Sequence, residues 1–266
     1  MTQTLVRYEK GEDGIAVVTL DAPPANTYSY DMMRQLDAAV LDARMDEGVH
    51  ALVLRGAGEK FFCAGADIGM LNEVTPRFKY FFCLHANETL NRLEATPKLV
   101  VAALNGHCVG GGLEVALAAD LRYGRQGAGK VGLPEVGLGV LPGTGGTQRL
   151  ARLVGKARAF ELMATGRLFP FEEAHALGLV TEVLSADSAE AFLAAVRERV
   201  RAFVPPARAS KAVGLIKRAV QSGAEMALAE GLSLERELQQ QLFESRDARE
   251  GLAAHLARRT PAFEGR

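Results

Sequence analysis

Apolar residues fall into two kinds of pattern along this chain. Three short unbroken runs, Ile15–Leu20, Ala51–Leu54 and Leu99–Leu104, are aliphatic and bounded by Gly, Asp, Pro or charged residues. Runs of that length and composition predict strands covered on both faces. Between the first two, residues 30–45 carry Met33, Leu36, Val40 and Arg44 at helical spacing, with Ser29 as an N-cap. Between the second and third, residues 77–95 also read as helix, stopped by Thr96-Pro97. Strand alternating with helix implies right-handed crossovers and an α/β fold.

From Thr147 the character changes. Segments 147–164, 187–202, 206–221, 224–244 and 247–258 are rich in Ala, Leu, Glu and Arg at amphipathic spacing, which predicts helices. The Pro205-Pro206 pair marks the expected division between an α/β core, residues 1–204, and a C-terminal helical region, residues 205–266.

Composition narrows the class. Of 266 residues 48% are hydrophobic, enough to bury a sizeable core. The 31 basic and 32 acidic residues nearly cancel, so no overall charge draws the chain to nucleic acid or a membrane surface. Cys63, Cys83 and Cys108 lack the spacing of a disulfide framework or a zinc site and suit a reducing compartment. The opening residues, MTQTLVRYEKGEDG, have neither a secretory apolar stretch nor the Arg/Ser-rich character of a transit peptide. No apolar run reaches the length of a membrane span. A soluble, cytoplasmic protein is the expectation.

Candidate chemistry gathers in two glycine-rich segments. In residues 103–120 a buried strand ends near Leu104, a turn follows, and a helix opens near Gly112. Gly110, Gly111 and Gly112 let backbone approach a ligand, and a helix start presents free N–H groups that suit a developing anion. Glu114 falls in that helix's first turn. Residues 130–150 form the second segment and carry Glu135 after Pro134. A first-turn acid is often only a favourable charge, and an isolated Pro-Glu is usually a solvated loop. The apolar, glycine-rich setting gives both carboxylates a chemical reading instead. The dinucleotide pattern GxGxxG does not occur. GRQGAGKV, residues 124–131, matches GxxxxGK, but Val131 stands where a phosphate loop needs a hydroxyl, so a flexible surface loop is the better reading.

These two segments closely resemble the enoyl-CoA hydratase/isomerase (crotonase) superfamily. So do Lys60–Ile68, Pro24-Ala25-Asn26, Thr165-Gly166-Arg167, Glu173–Val180 and the last nine residues, and the likeness spans nearly the whole chain. The resemblance implies a spiral of ββα turns with a C-terminal helical region that drives trimerisation, giving a homotrimer or homohexamer. It places an oxyanion hole on the N–H groups of Ala66 and Gly111, and CoA contacts on Ala64, Gly65, Asp67, Ile68 and Phe263. In the hydratase branch two glutamates position water and move protons, and they correspond to Glu114 and Glu135. The implied reaction is syn addition of water to a trans-2-enoyl-CoA thioester, with no metal and no cofactor beyond the CoA of the substrate. Alternatives are an isomerase or thioester hydrolase using one glutamate, or a non-catalytic CoA-binding subunit.

Two departures from the hydratase pattern remove candidate partners for the CoA phosphates: Gly69 where Lys often follows Ala-Asp-Ile, and Pro23-Pro24 where basic residues are often seen. Phe263, Arg266 or other arginines would supply the grip instead. The acyl pocket is expected along residues 70–90. The plain reading of Phe78, Tyr80, Phe81, Phe82 and His85 is helix packing. A sharper one sets Arg77 or Lys79 against a distal carboxylate, as in 3-methylglutaconyl-CoA. His50, His107, His175 and His255 are scattered, with nothing to mark them as catalytic.

Overall fold

The computed structural model describes residues 3–266. The chain opens with β1 (Val6–Lys10), β2 (Ile15–Leu20), α1 (Tyr30–Met45), β3 (Ala51–Gly56) and β4 (Phe61–Cys63). It continues through α2 (Ile68–Glu73), α3 (Pro76–Glu94), β5 (Leu99–Leu104), β6 (His107–Val109) and α4 (Gly111–Leu117). Next come β7 (Leu121–Arg125), β8 (Lys130–Gly132), a 3₁₀ turn (Glu135–Leu138), α5 (Gly146–Val154) and α6 (Lys156–Thr165). Then follow β9 (Phe169–Pro170), α7 (Phe171–Ala176), β10 (Glu182–Leu184), α8 (Ala189–Arg201), α9 (Ser210–Gly223), α10 (Leu228–Phe243) and α11 (Arg246–Leu256).

Two sheets result, ordered β1-β2-β3-β5-β7-β10 and β4-β6-β8-β9. In the first, β2, β3, β5, β7 and β10 run parallel, with β1 antiparallel at the edge. In the second, β4, β6 and β8 are parallel. Thus β3-β4, β5-β6 and β7-β8 each give one strand to each sheet before the chain turns helical. That is the expected spiral of ββα turns.

The period-two alternation of a strand explains why the three apolar runs are central. Val18, Leu54, Ala102 and Leu104 face one core with α1, α3 and α4. Ile15, Val53, Val101 and Ala103 face a second core, closed by Phe192, Val196 and Val200 of α8. Both faces are covered, so every residue of β2, β3 and β5 is buried.

Ser29 caps α1 as expected, accepting from Met32 N. The helix expected over 147–164 is two helices. Gly155, with φ +82°, ends α5 and starts α6, a conformation that a helix interior does not admit. The 124–131 stretch is not one flexible loop. Gly124 and Arg125 lie buried in β7, Lys130 and Val131 begin β8, and only the four residues between them turn. After Pro205-Pro206, Gly214 of α9 packs so closely on Pro97 that a side chain there would overlap the Pro97 carbonyl. Among the described residues no helix is long and apolar enough to cross a membrane.

Candidate active site

The end of β6 sets the site. Gly110 N donates to Gly132 O on β8, and Gly110 then takes φ +56° to start α4. That left-handed turn admits glycine readily and other residues only at a cost. Gly112 sits against the Cys63 carbonyl with no room for a Cβ, which clamps the start of α4 onto the end of β4. The chain leaving β4 forms the Ala64–Asp67 turn, and the two turns meet. A Cβ on Gly65 would lie 3.1 Å from Gly111 N.

Ala66 owes its orientation to Tyr28. Tyr28 N donates to Gly65 O at 2.9 Å, and Asp67 N donates to Tyr28 O at 3.0 Å, forming a parallel bridge. Both bonds go to the residues flanking Ala66, so the N–H and C=O of Ala66 itself point away from Tyr28. The Gly111 N–H is the first of α4 and has no partner within its helix.

Glu114 is 2% exposed. Its Oε1 accepts from Thr144 N at 2.7 Å and Gly146 N at 2.8 Å, and its Oε2 accepts from the Thr144 hydroxyl. Thr144 precedes α5 and Gly146 begins it, so the carboxylate also sits at a helix N-terminus, where negative charge is favoured.

Glu135 has a contrasting environment. Its Oε1 is beside Gly110, 2.9 Å from where a Cβ would sit, while its Oε2 is buried with no hydrogen-bond partner among the described residues. Burial pushes this carboxyl up to about 7, and the negative charge of Glu114 adds to the effect while Lys79 opposes it. Of two carboxylates near enough for charge to pass between them, one is thus held by three donors and the other is short of them. A carboxyl that holds its proton near neutrality, beside a second one anchored by hydrogen bonds, suits acid–base chemistry.

Other expected residues fall outside this centre. The Asp67 side chain caps α2, accepting from Met70 N at 3.1 Å, and Ile68 is 54% exposed on that helix. Ala64 N bonds Ala25 O at 3.0 Å. Phe263 packs on Gly251 of α11, with its N–H on Pro206 O, and within one chain it does not join the Ala64–Ile68 turn. Of the α3 aromatics, helix packing describes Phe82, which is buried and 5.9 Å from the Tyr28 ring. It does not describe Tyr80 and Phe81, which are 66% and 51% exposed. Lys79 Nζ lies 5.4 Å from the Phe82 ring centre, and Arg77 stacks outward over Phe81. Among the histidines, His50 pairs with Ser210, His107 with Lys130 N and His175 with Val180 O. Tyr28 and Thr144 are missing from the sequence reading, because no local pattern marks a contact between positions so far apart.

A family model described as enoyl-CoA hydratase/isomerase matches residues 10–266. A short-chain-enoyl-CoA hydratase of Clostridium acetobutylicum is 36% identical over 93% of this chain and 93% of its own length. An enoyl-CoA hydratase structure from Geobacillus kaustophilus superposes with a TM-score of 0.93 at 42% identity, covering 100% of this chain and 98% of that one. A Bacillus anthracis enoyl-CoA hydratase structure gives 0.90 at 31% identity, covering 99% and 100%.

Proposed function

Because this chain belongs to the enoyl-CoA hydratase/isomerase family, we propose that it adds water syn across the 2,3 double bond of an enoyl-CoA, giving a 3-hydroxyacyl-CoA, or runs the reverse dehydration. The observation that carries this reading is the pair Glu114 and Glu135, close enough for the charge of one to act on the other and held in unequal environments.

The Ala66 and Gly111 N–H groups, both free of backbone partners among the described residues, polarise the thioester carbonyl and make carbon 3 electrophilic. Losing one such donor typically costs about 3–4 kcal/mol of barrier. Glu114, anchored by three donors and with acceptor capacity left over, takes a proton from the attacking water. Glu135, which keeps its proton near neutrality, delivers one to carbon 2. Each acid ends the addition in the other's protonation state, and exchange with solvent resets the pair. Water and thioester are the only reactants, so the step needs no further cofactor. CoA lies along the Ala64–Ile68 turn, with Phe263 contributing from an adjacent subunit of a homotrimer or a pair of trimers.

Lys79 supports a finer reading of the acyl group. Its ammonium lies over Phe82, close enough for its charge to act on Glu135. A cation there suits an acyl chain ending in a carboxylate, as in 3-methylglutaconyl-CoA. A spectrophotometric assay over a panel including crotonyl-CoA and 3-methylglutaconyl-CoA tests both levels. Hydration of any member supports the hydratase, and a kcat/KM preference for the dicarboxylic thioester that Lys79→Met abolishes supports the finer reading. A folded, CoA-binding protein that turns over none of them is not a hydratase.

A further inference from the structure

Tyr28, Thr144 and Glu114 are 3%, 2% and 2% exposed, so these three polar groups must satisfy one another. The Thr144 hydroxyl donates to Glu114 Oε2 and lies 3.2 Å from the Tyr28 hydroxyl. Counting protons fixes the direction of this chain. A threonine hydroxyl has one proton, and an ionised carboxylate has none to give. With the Thr144 proton on Glu114, the Tyr28 phenol must be the donor at the second contact. Its burial and the Glu114 charge push the phenol well above its ordinary range, so it stays protonated.

We propose that Tyr28 and Thr144 are positioning residues, whose hydroxyls form a sealed relay that aims Glu114 at the reacting water. The Tyr28 hydroxyl occupies the space that a Cβ on Gly111 would take, and the Tyr28 backbone holds the Ala66 turn by two hydrogen bonds. One residue therefore reaches both the water-handling carboxylate and the two N–H groups of the proposed oxyanion hole. The other titratable groups around the relay are Cys63, Cys83 and Glu135. Burial pushes the Cys63 thiol up to about 12, so it stays neutral.

The inference rests on the hydration reading, and the test separates the two. Wild type, Tyr28→Phe, Thr144→Ala, their double variant and Thr144→Ser are compared on crotonyl-CoA for kcat and KM separately, together with their melting temperatures. Tyr28→Phe keeps the ring against Phe82 and removes only the hydroxyl. A lost bond in a chain ending on a charged group predicts a fall in kcat of roughly tenfold or more, with KM little changed. Thr144→Ala does the same, the double variant is no worse than the poorer single one, and Thr144→Ser recovers most of the loss.

An active wild type whose kcat is unchanged in both Tyr28→Phe and Thr144→Ala, with only the melting temperature lowered, would overturn the relay. An inactive wild type would sink the hydration reading and the catalytic role with it. Non-additive melting shifts in the double variant would then still establish that the two hydroxyls are coupled.

Discussion

Glu135 binds a proton more tightly in its buried site than it does when exposed to water, and this has consequences for both stability and rate. Its folded-state value of about 7 exceeds its ordinary 4.5, so between those values the folded chain keeps a proton that the unfolded chain has released. Stability at this residue therefore falls as pH rises through that window. Glu135→Gln should melt higher than wild type at pH 8 and nearly level with it at pH 4. Discounted for partial solvent contact, the gain is about 1 kcal/mol or ~2 °C. A thermal scan at the two pH values checks it. In the hydration direction kcat should fall as pH climbs through about 7, where this acid loses its proton. Glu114 and Glu135 were legible in the sequence, because a carboxylate between glycines and aliphatic residues has little structural reason to be there. Thr144 was not, since a threonine before a helix reads as an ordinary turn residue. Its partner Tyr28 lies 116 positions away.

The glycine turn is the element on which the account depends, and not every glycine in it is equal. Gly112→Ala would drive a Cβ into the Cys63 carbonyl, a clash between two backbones that no rotamer relieves. Loss of about 3 kcal/mol or more is expected, seen as poor folding or a drop in melting temperature. Gly137, in the 3₁₀ turn just after Glu135, has nothing within 4 Å of such a Cβ, so Gly137→Ala should fold and retain turnover. Long elements were legible because β2, β3 and β5 are unbroken aliphatic runs of strand length, and α1 and α3 last for several helical turns. The strands β4, β6 and β8 have three residues each, too few to show any period, and they exist only through parallel pairing with distant segments. The single helix expected over 147–164 failed for a related reason. An isolated glycine inside a helical pattern is usually tolerated, and nothing local announces that Gly155 takes a positive φ.

At the scale of the whole molecule, the spiral brings three distant glycine segments to one point, and family likeness made that arrangement readable before any contact was known. Two features concern the surface beyond a single chain. Phe263 lies away from the Ala64–Ile68 turn of its own chain, and Ile216, Val220, Leu228, Phe243 and Leu256 leave large apolar areas open on α9, α10 and α11. Scattered apolar residues are ordinary, but this many on one helical region suits a partner surface. Light scattering coupled to gel filtration should give three or six times the mass of one chain, and a monomer at micromolar concentration would exclude Phe263 as a CoA contact from a neighbour. The central claim is that two unequal carboxylates add water to an enoyl thioester. It is tested most directly by the steady-state hydration rate of crotonyl-CoA for wild type, Glu114→Gln and Glu135→Gln. Turnover by wild type with kcat reduced roughly hundredfold or more in each variant is the predicted result. A variant that hydrates as fast as wild type, or a folded wild type with no turnover on this or any other enoyl-CoA, would contradict it.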